Sequence, residues 1–208
     1  MWLCILLTVI IGYLLGNLNG AVCMSYLMAH EDVRSHGSGN AGLTNFIRTY
    51  GAGKSLSVIL IDGGKAVASC LVGGLLLKPY GMFQEGMAIG GAAVMLGHVF
   101  PALLGFKGGK GILSGFFVAL TVDWRVALII LGVFVVAYFA TQYVSFGSVL
   151  GAIAFGVGFV IFYYDNIVVM LCGIFMAALA TYMHRENIKR LLKGQERKTN
   201  LFGKGSKQ

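Results

Sequence analysis

The sequence predicts an all-α polytopic membrane protein, a bundle of about seven transmembrane helices with its N-terminus outside and its C-terminus in the cytoplasm. Three observations carry this reading. Of the 208 residues, 57% are hydrophobic and only 12% are charged, whereas a soluble domain carries about 25% charged residues. Apolar runs near the ~20 residues that a bilayer demands recur along the chain. The cations sit mainly in alternate connections between those runs. One integral-membrane domain is expected over residues 1–208, ending in a basic cytoplasmic tail over 184–208.

Residues 2–29 read as the first span, apolar except around Asn17 and Asn19, and 30–54 as a long polar loop. The second span, 55–77, carries Asp62 and Lys65, which lie three apart and therefore share a helix face and can pair. After a short connection, the third span over 86–104 holds His98 and Pro101 near its end. The lysine loop Phe106-Lys107-Gly108-Gly109-Lys110-Gly111 follows. Residues 112–123 cover about 18 Å as a helix, less than a bilayer core of about 30 Å. They read as a short or tilted crossing, with a re-entrant hairpin over 112–142 as the alternative. Runs at 126–141, 149–164 and 167–183 complete the bundle, with a break at 142–148.

With seven crossings, Arg34, Arg48, Lys54, Lys107 and Lys110 fall on one side. The tail's Arg185, Lys189, Arg190, Lys193, Arg197, Lys198, Lys204 and Lys207 join them, leaving Lys78 and Arg125 on the other. Such an excess marks the cytoplasmic face. The first run lacks a charged leader segment and a small-residue cleavage site, which argues against a removable signal peptide. Cys4, Cys23, Cys70 and Cys172 show neither metal-ligand nor disulfide spacing. Gly12/Gly16/Gly20, Gly86/Gly90, Gly111/Gly115 and Gly147/Gly151 are spaced by four, a pattern that lets helix backbones approach closely in lipid.

The polar loops rich in Gly, Asn and Ser all fall on the cationic side, so function belongs to that face. In the lysine loop, two ammonium groups stand among glycines whose N–H groups can close on an oxyanion. The first loop, Gly37-Ser38-Gly39-Asn40-Ala41-Gly42-Leu43-Thr44-Asn45-Phe46-Ile47-Arg48, ends on a guanidinium suited to bidentate phosphate binding. As a plain turn it would place a helix N-cap at Ser38 or Asn40. Asp62 with Lys65 serves either as a neutralised structural pair or as a functional one. His98 and His184 are the acid–base candidates on this face, and Ser145 and Ser148 put two hydroxyls near one face. His184, Asn187 and Ile188 share a helical face, with Arg185 beside them. The chain has no carboxylate cluster for metal chemistry, no Gly-x-Ser-x-Gly elbow and no Walker A motif. None of its histidines begins a His-x-x-x-x-Asp dyad.

Taken in order, several motifs resemble one family. They are Gly37-Ser38-Gly39-Asn40 with Thr44, Asn45 and Arg48; Asp62 with Lys65; and Gly97-His98 through Pro101 to Gly111. Ser145 with Ser148, and His184 to Arg190 with Gly194 and Glu196, complete the set. The chain is thereby similar to the bacterial membrane acyl-phosphate:glycerol-3-phosphate acyltransferases (PlsY family). Ala41, Leu43, Gly64, Ala66 and Arg197 depart from the usual pattern at backbone-shaping or small positions. The resemblance implies transfer of an acyl group from acyl phosphate to the 1-hydroxyl of glycerol-3-phosphate. The products are lysophosphatidic acid and phosphate, and the setting is the bacterial cytoplasmic (inner) membrane.

On this reading Ser38, Asn40 and His184 are catalytic. Asn45, Arg48, Lys107, Gly108, Gly109, Lys110, Ser145, Ser148, Arg185 and Asn187 bind substrate, and Asp62, Lys65 and His98 support them. No metal, cofactor or nucleic acid is expected; the partners are the two substrates and membrane lipid. The competing class is a transporter or channel for an organic or phosphate anion, which explains the cations but not their clustering on one face.

Overall fold

The computed structural model describes residues 1–198, which are all helical apart from turns and connections. Ten α-helices follow one another: α1 (Trp2–Asn17), α2 (Gly20–Ala29), α3 (Leu43–Tyr50), α4 (Ser55–Leu77), α5 (Phe83–Val99), α6 (Ile112–Val122), α7 (Trp124–Thr141), α8 (Val144–Phe162), α9 (Ile167–Met183) and α10 (Arg185–Leu192). Five segments are long and apolar enough to cross a membrane, and α9 taken with the bent α10 makes a sixth. The eleven-residue α6 is shorter than these. Lys204 and Lys207 of the expected tail lie outside the described residues.

The core runs through α4–α9, with Met95, Val118, Val126, Phe159 and Met176 almost fully buried. Leu, Ile and Phe side chains cover the outer surface instead, as they do where lipid is the solvent. Small residues set the closest approach. A Cβ on Gly97 would stand 2.1 Å from the Tyr13 carbonyl, and one on Gly16 would stand 2.4 Å from that of Val94, so α1 lies on α5 backbone to backbone. Of the four-spaced glycines, Gly111 serves a turn instead, at φ +82°.

Two expectations change. The first span is two helices broken at Leu18–Asn19, because Asn19 leaves the helix to cap α2 through Val22 N–H. The break at 142–148 shrinks to Gln142 and Tyr143, with Ser145 and Ser148 already inside α8.

The break in the first span is stitched by the buried pair on α4. A helix C-terminus leaves carbonyls unpaired and an N-terminus leaves N–H groups unpaired. Lys65 Nζ donates to the carbonyls of Leu18 and, at 3.3 Å, Gly16. Asp62 Oδ1 accepts from Gly20 N–H at 3.1 Å. Cation and anion thus sit at the helix ends whose dipoles they suit, and they pair with each other at 2.7 Å. Asn17 and Asn19 then reach outward: Asn17 accepts from Leu103 N–H, and Asn19 donates to the Ala41 carbonyl.

Side-chain pairs show which connections share an end. Cys4 meets Tyr80, Gln84 and Asp123 both meet Tyr163, and Glu85 meets Asn166. The N-terminal turn and the connections α4–α5, α6–α7 and α8–α9 therefore lie together. The loops before α3 and α6 gather with α10 at the other end.

Removing one partner of a buried ion pair strands the other, at a cost of about 3–5 kcal/mol. Asp62→Ala is expected to lose that much stability in thermal melts of the detergent-solubilised protein. Asp62→Ala/Lys65→Met should recover part of it, by removing the stranded charge. A melting temperature unchanged in Asp62→Ala would contradict the stitching role.

Candidate active site

Asn45 organises the first loop. Its Nδ2 donates to the carbonyls of Val33 and His36, and its Oδ1 accepts from the N–H and hydroxyl of Ser38. Four bonds fill the capacity of a buried amide. Asn45, which also lines the cavity, therefore holds the loop with its whole amide, and Ser38 has spent its hydroxyl proton within the protein. Neither Ser38 nor Asn40 is an N-cap: Gly42 precedes the first residue of α3, and no side chain caps its first N–H groups. Arg48 lies one turn along α3 from Asn45 and faces the same cavity as Asn40.

The lysine loop is built differently from the expected anion nest. Gly108 N–H donates to the Val99 carbonyl and Gly109 N–H to that of His98, closing off the end of α5. These two donors are taken, so the nest does not form there. Phe106, at φ +60°, turns the chain, and Lys107 is left exposed outside the cavity while its carbonyl accepts from Arg34. Lys110 instead faces inward at the start of α6 and donates to Asn187 Oδ1.

The remaining wall comes from α8, α10 and the start of the tail. The buried Ser145 hydroxyl faces the Glu196 carboxylate and helps stabilise its charge without a hydrogen bond of full geometry, whereas Ser148 donates to the Val144 carbonyl. His184 Nδ1 meets the Ala180 carbonyl at 2.8 Å. A carbonyl only accepts, so Nδ1 carries the proton and Nε2 keeps its lone pair. Asn187 Nδ2 donates to Glu196, whose other oxygen takes Arg190 at 2.7 Å. Burial pushes the Glu196 carboxyl up, but these hydrogen bonds outweigh it and hold it below the usual carboxylate range. Arg190 and Glu196 were not among the expected site residues; the spacing Gly194-x-Glu196 was the available signal.

Together these elements enclose a cavity of about 990 Å³. Its mouth is lined by Ser38, Asn40, Arg48, Lys110, His184 and Arg185, and its depth by Met95, Phe116, Ile130, Phe134, Phe155 and Met176. The helices α3, α6, α8 and α10 all begin at the mouth, and none has a side-chain cap. Of the helices that start at the opposite end, α7 and α9 are closed by Asp123 and Asn166, whereas α1 and α5 have no side-chain cap either. Uncapped helix N-termini present N–H groups and a positive dipole to an anion. Among the expected site residues, Asp62 and His98 also reach the cavity, whereas Lys107, Gly108, Gly109 and Lys65 do not line it.

The described residues thus form a helical membrane protein with an amphipathic cavity, cationic and helix-ended at its mouth and apolar within, a form that suits an anionic, lipid-like ligand. A sequence profile described as glycerol-3-phosphate acyltransferase matches residues 6–194. The chain belongs to that family. It is 39% identical over 192 residues to the glycerol-3-phosphate acyltransferase of Thermoanaerobacter sp. (strain X514), covering 92% of this chain and 94% of the relative. To that of Finegoldia magna it is 37% identical, over 91% of this chain and 93% of the relative. Its fold is similar to crystal structures of PlsY (YgiH), an integral membrane glycerol 3-phosphate acyltransferase. The glycerol 3-phosphate form gives a TM-score of 0.83 at 33% identity, covering 96% of this chain and 99% of that one. The lysophosphatidic acid form gives 0.81 at 32% identity, covering 95% and 96%.

Burial, with Arg190, Arg48 and Arg185 adding to it, pushes the Lys110 ammonium down to about 8 against the pull of Glu196. Lys110 is thus charged below about pH 8 and neutral above it. Affinity for a phosphate monoester should fall as pH rises through that value. A lost charge-assisted bond costs about 10- to 150-fold. Calorimetric titration with methyl phosphate, a dianion throughout pH 7–10, reads this. Lys110→Arg, which stays charged, should flatten the fall; an unchanged fall in that variant would contradict the assignment.

Proposed function

We propose that this protein transfers a fatty acyl group from acyl phosphate to the 1-hydroxyl of glycerol-3-phosphate, releasing lysophosphatidic acid and phosphate. Acyl transfer to glycerol-3-phosphate in phospholipid synthesis is the activity of the family. The observation that carries the reading is the four uncapped helix N-termini, with Arg48, Lys110 and Arg185 beside them, at the mouth of a cavity with an apolar depth. Such a mouth suits the phosphates of both substrates. The apolar depth suits the acyl chain.

Arg48, Lys110 and Arg185 hold phosphate, and the Ser145 hydroxyl, held only loosely beside Glu196, adds a donor. Asn187, occupied at both ends of its amide, acts by aiming Lys110. Asn40 and first-turn N–H groups of α3 and α6 face the reacting carbonyl. The attacking hydroxyl must lose its proton. His184 Nε2 is the histidine nitrogen able to take it, since His98 Nδ1 is already engaged by Lys65. Acyl phosphate brings its own acceptor, a phosphate oxygen next to the carbonyl, and we assign the proton to it, with His184 orienting glycerol-3-phosphate.

The membrane reading is seven crossings, with α6 as a short one, the N-terminus outside and the site on the cytoplasmic face of the bacterial inner membrane. The pairing of Asp123 with Tyr163 supports α6 reaching the far end, because it puts the α6–α7 and α8–α9 connections side by side.

The purified protein should convert radiolabelled acyl phosphate and glycerol-3-phosphate to lysophosphatidic acid; liposome uptake of glycerol-3-phosphate without acyl transfer would favour the transporter. His184→Gln keeps hydrogen bonding and removes basicity, so kcat should stay within about tenfold of wild type. A fall beyond about a hundredfold at unchanged KM would make His184 the base, whose usual contribution is 10²–10⁴-fold. After removal of the native cysteines, a cysteine at Asp165 should react with impermeant thiol reagents in intact cells, and one at Lys193 should not. The reverse pattern would invert the topology.

A further inference from the structure

His98 sits where the polar mouth meets the apolar depth. Both it and Met95, one turn earlier on α5, line the cavity. On one side of the ring, Nδ1 lies 2.8 Å from Lys65 Nζ. That ammonium has three close partners, the Leu18 carbonyl, Asp62 Oδ1 and His98 Nδ1, and a longer fourth, the Gly16 carbonyl at 3.3 Å. The carbonyl and the carboxylate can only accept. An ammonium has donors and no acceptor, so across the 2.8 Å contact Lys65 donates and Nδ1 is the unprotonated nitrogen of a neutral ring. The single ring proton is left on Nε2. That nitrogen lies against Gly109, where a Cβ would stand 2.2 Å from it, and it donates to no acceptor among the described residues.

We propose that His98 donates its Nε2 proton to the carbonyl oxygen of the acyl donor, as an oxyanion-hole residue, and that Asp62 and Lys65 hold the ring in the tautomer this requires. The oxyanion role rests on the acyl phosphate reading above; the tautomer does not. The place fits the chemistry. An acyl phosphate changes from charged to apolar at its carbonyl, and His98 stands at the same change in the cavity. In the step, the glycerol-3-phosphate 1-oxygen bonds to the acyl carbon and the C=O pair moves onto oxygen, which tightens on Nε2–H. The C=O then reforms as the bond to phosphate breaks, and the hydroxyl proton leaves on the phosphate. The ring proton is shared throughout and never transferred. Asp62 and Lys65 are positioning residues, because they act on the ring and not on the substrate.

The ring is read directly by nitrogen NMR of the histidine-labelled protein, with His98→Gln used for assignment. The expected spectrum is a neutral ring protonated at Nε2. Lys65→Met should move that proton to Nδ1, 3.6 Å from Asp62 Oδ1. Kinetics give the second readout. Gln places its amide near the Nε2 position and should keep kcat within about tenfold. Asn, too short to reach, should lose about 10²–10³-fold, the usual cost of an oxyanion donor, at unchanged KM for glycerol-3-phosphate. A wild-type ring protonated at Nδ1, or at both nitrogens, would overturn the tautomer. Equal activity in the Gln and Asn variants would overturn the oxyanion role. If the wild-type protein turned over no acyl phosphate, the donor reading would fail with that role; the NMR result needs no turnover, so the two failures are separable.

Discussion

The Asp62–Lys65 pair at the break in the first span is the interaction on which the architecture depends. A polar break inside a membrane is costly because its freed N–H and C=O groups have no water to turn to. Here one carboxylate and one ammonium on α4 take up freed groups on both sides of the break. With the break tolerated, Asn17 and Asn19 can anchor the two polar loops, one at Leu103 and the other at Ala41. The same ammonium extends the network to His98 and so to the floor of the cavity. Fold and site share one buried electrostatic unit, which is why a pair at 1% and 4% exposure is retained in a span.

The proposed anion site follows a division of labour between charge and dipole. Lysine and arginine at the mouth are few and partly offset: Glu196 sits among them, tied to Arg190 and, through Asn187, to Lys110. The helix N-termini add positive potential without side-chain entropy or a proton to lose. Leaving α3, α6, α8 and α10 uncapped sacrifices about 0.5–2 kcal/mol of capping at each, a cost that bound phosphate can offset. A separate apolar groove between α8 and α9, of about 630 Å³ and lined by Ile153, Val157, Ile174 and Ala178, has no polar end of this kind. Its surface is that of a lipid-facing seam.

The class of fold was legible because hydropathy and cation placement are properties of composition, and lipid reads composition directly. That Arg48, Lys110, His184 and Asn187 would gather at one cavity was legible too, since charges near span ends have few other uses. What could not be read was pairing. Asn45 looks like a ligand in sequence, yet its amide is spent on four partners within its own loop. Gly108 and Gly109 look like a nest, but the end of α5 claims their N–H groups. The start of the short helix α3 reads in sequence as Ser38 or Asn40, because those side chains are good caps, whereas it falls at Gly42, which has no side chain to close it. Glu196 was missed because an acid in a basic tail looks like surface, until Asn187 and Arg190 bury it.

The central claim is that a single cavity accommodates phosphate at its mouth and the acyl chain in its depth. A structure of the protein with glycerol-3-phosphate and a non-hydrolysable acyl phosphonate tests it most directly. Both phosphorus atoms should lie among Arg48, Lys110, Arg185 and the N-termini of α3, α6 and α10, with the chain between Phe116, Phe134 and Phe155. An acyl chain seated in the groove between α8 and α9, or a phosphonate bound at Lys107 outside the cavity, would contradict it.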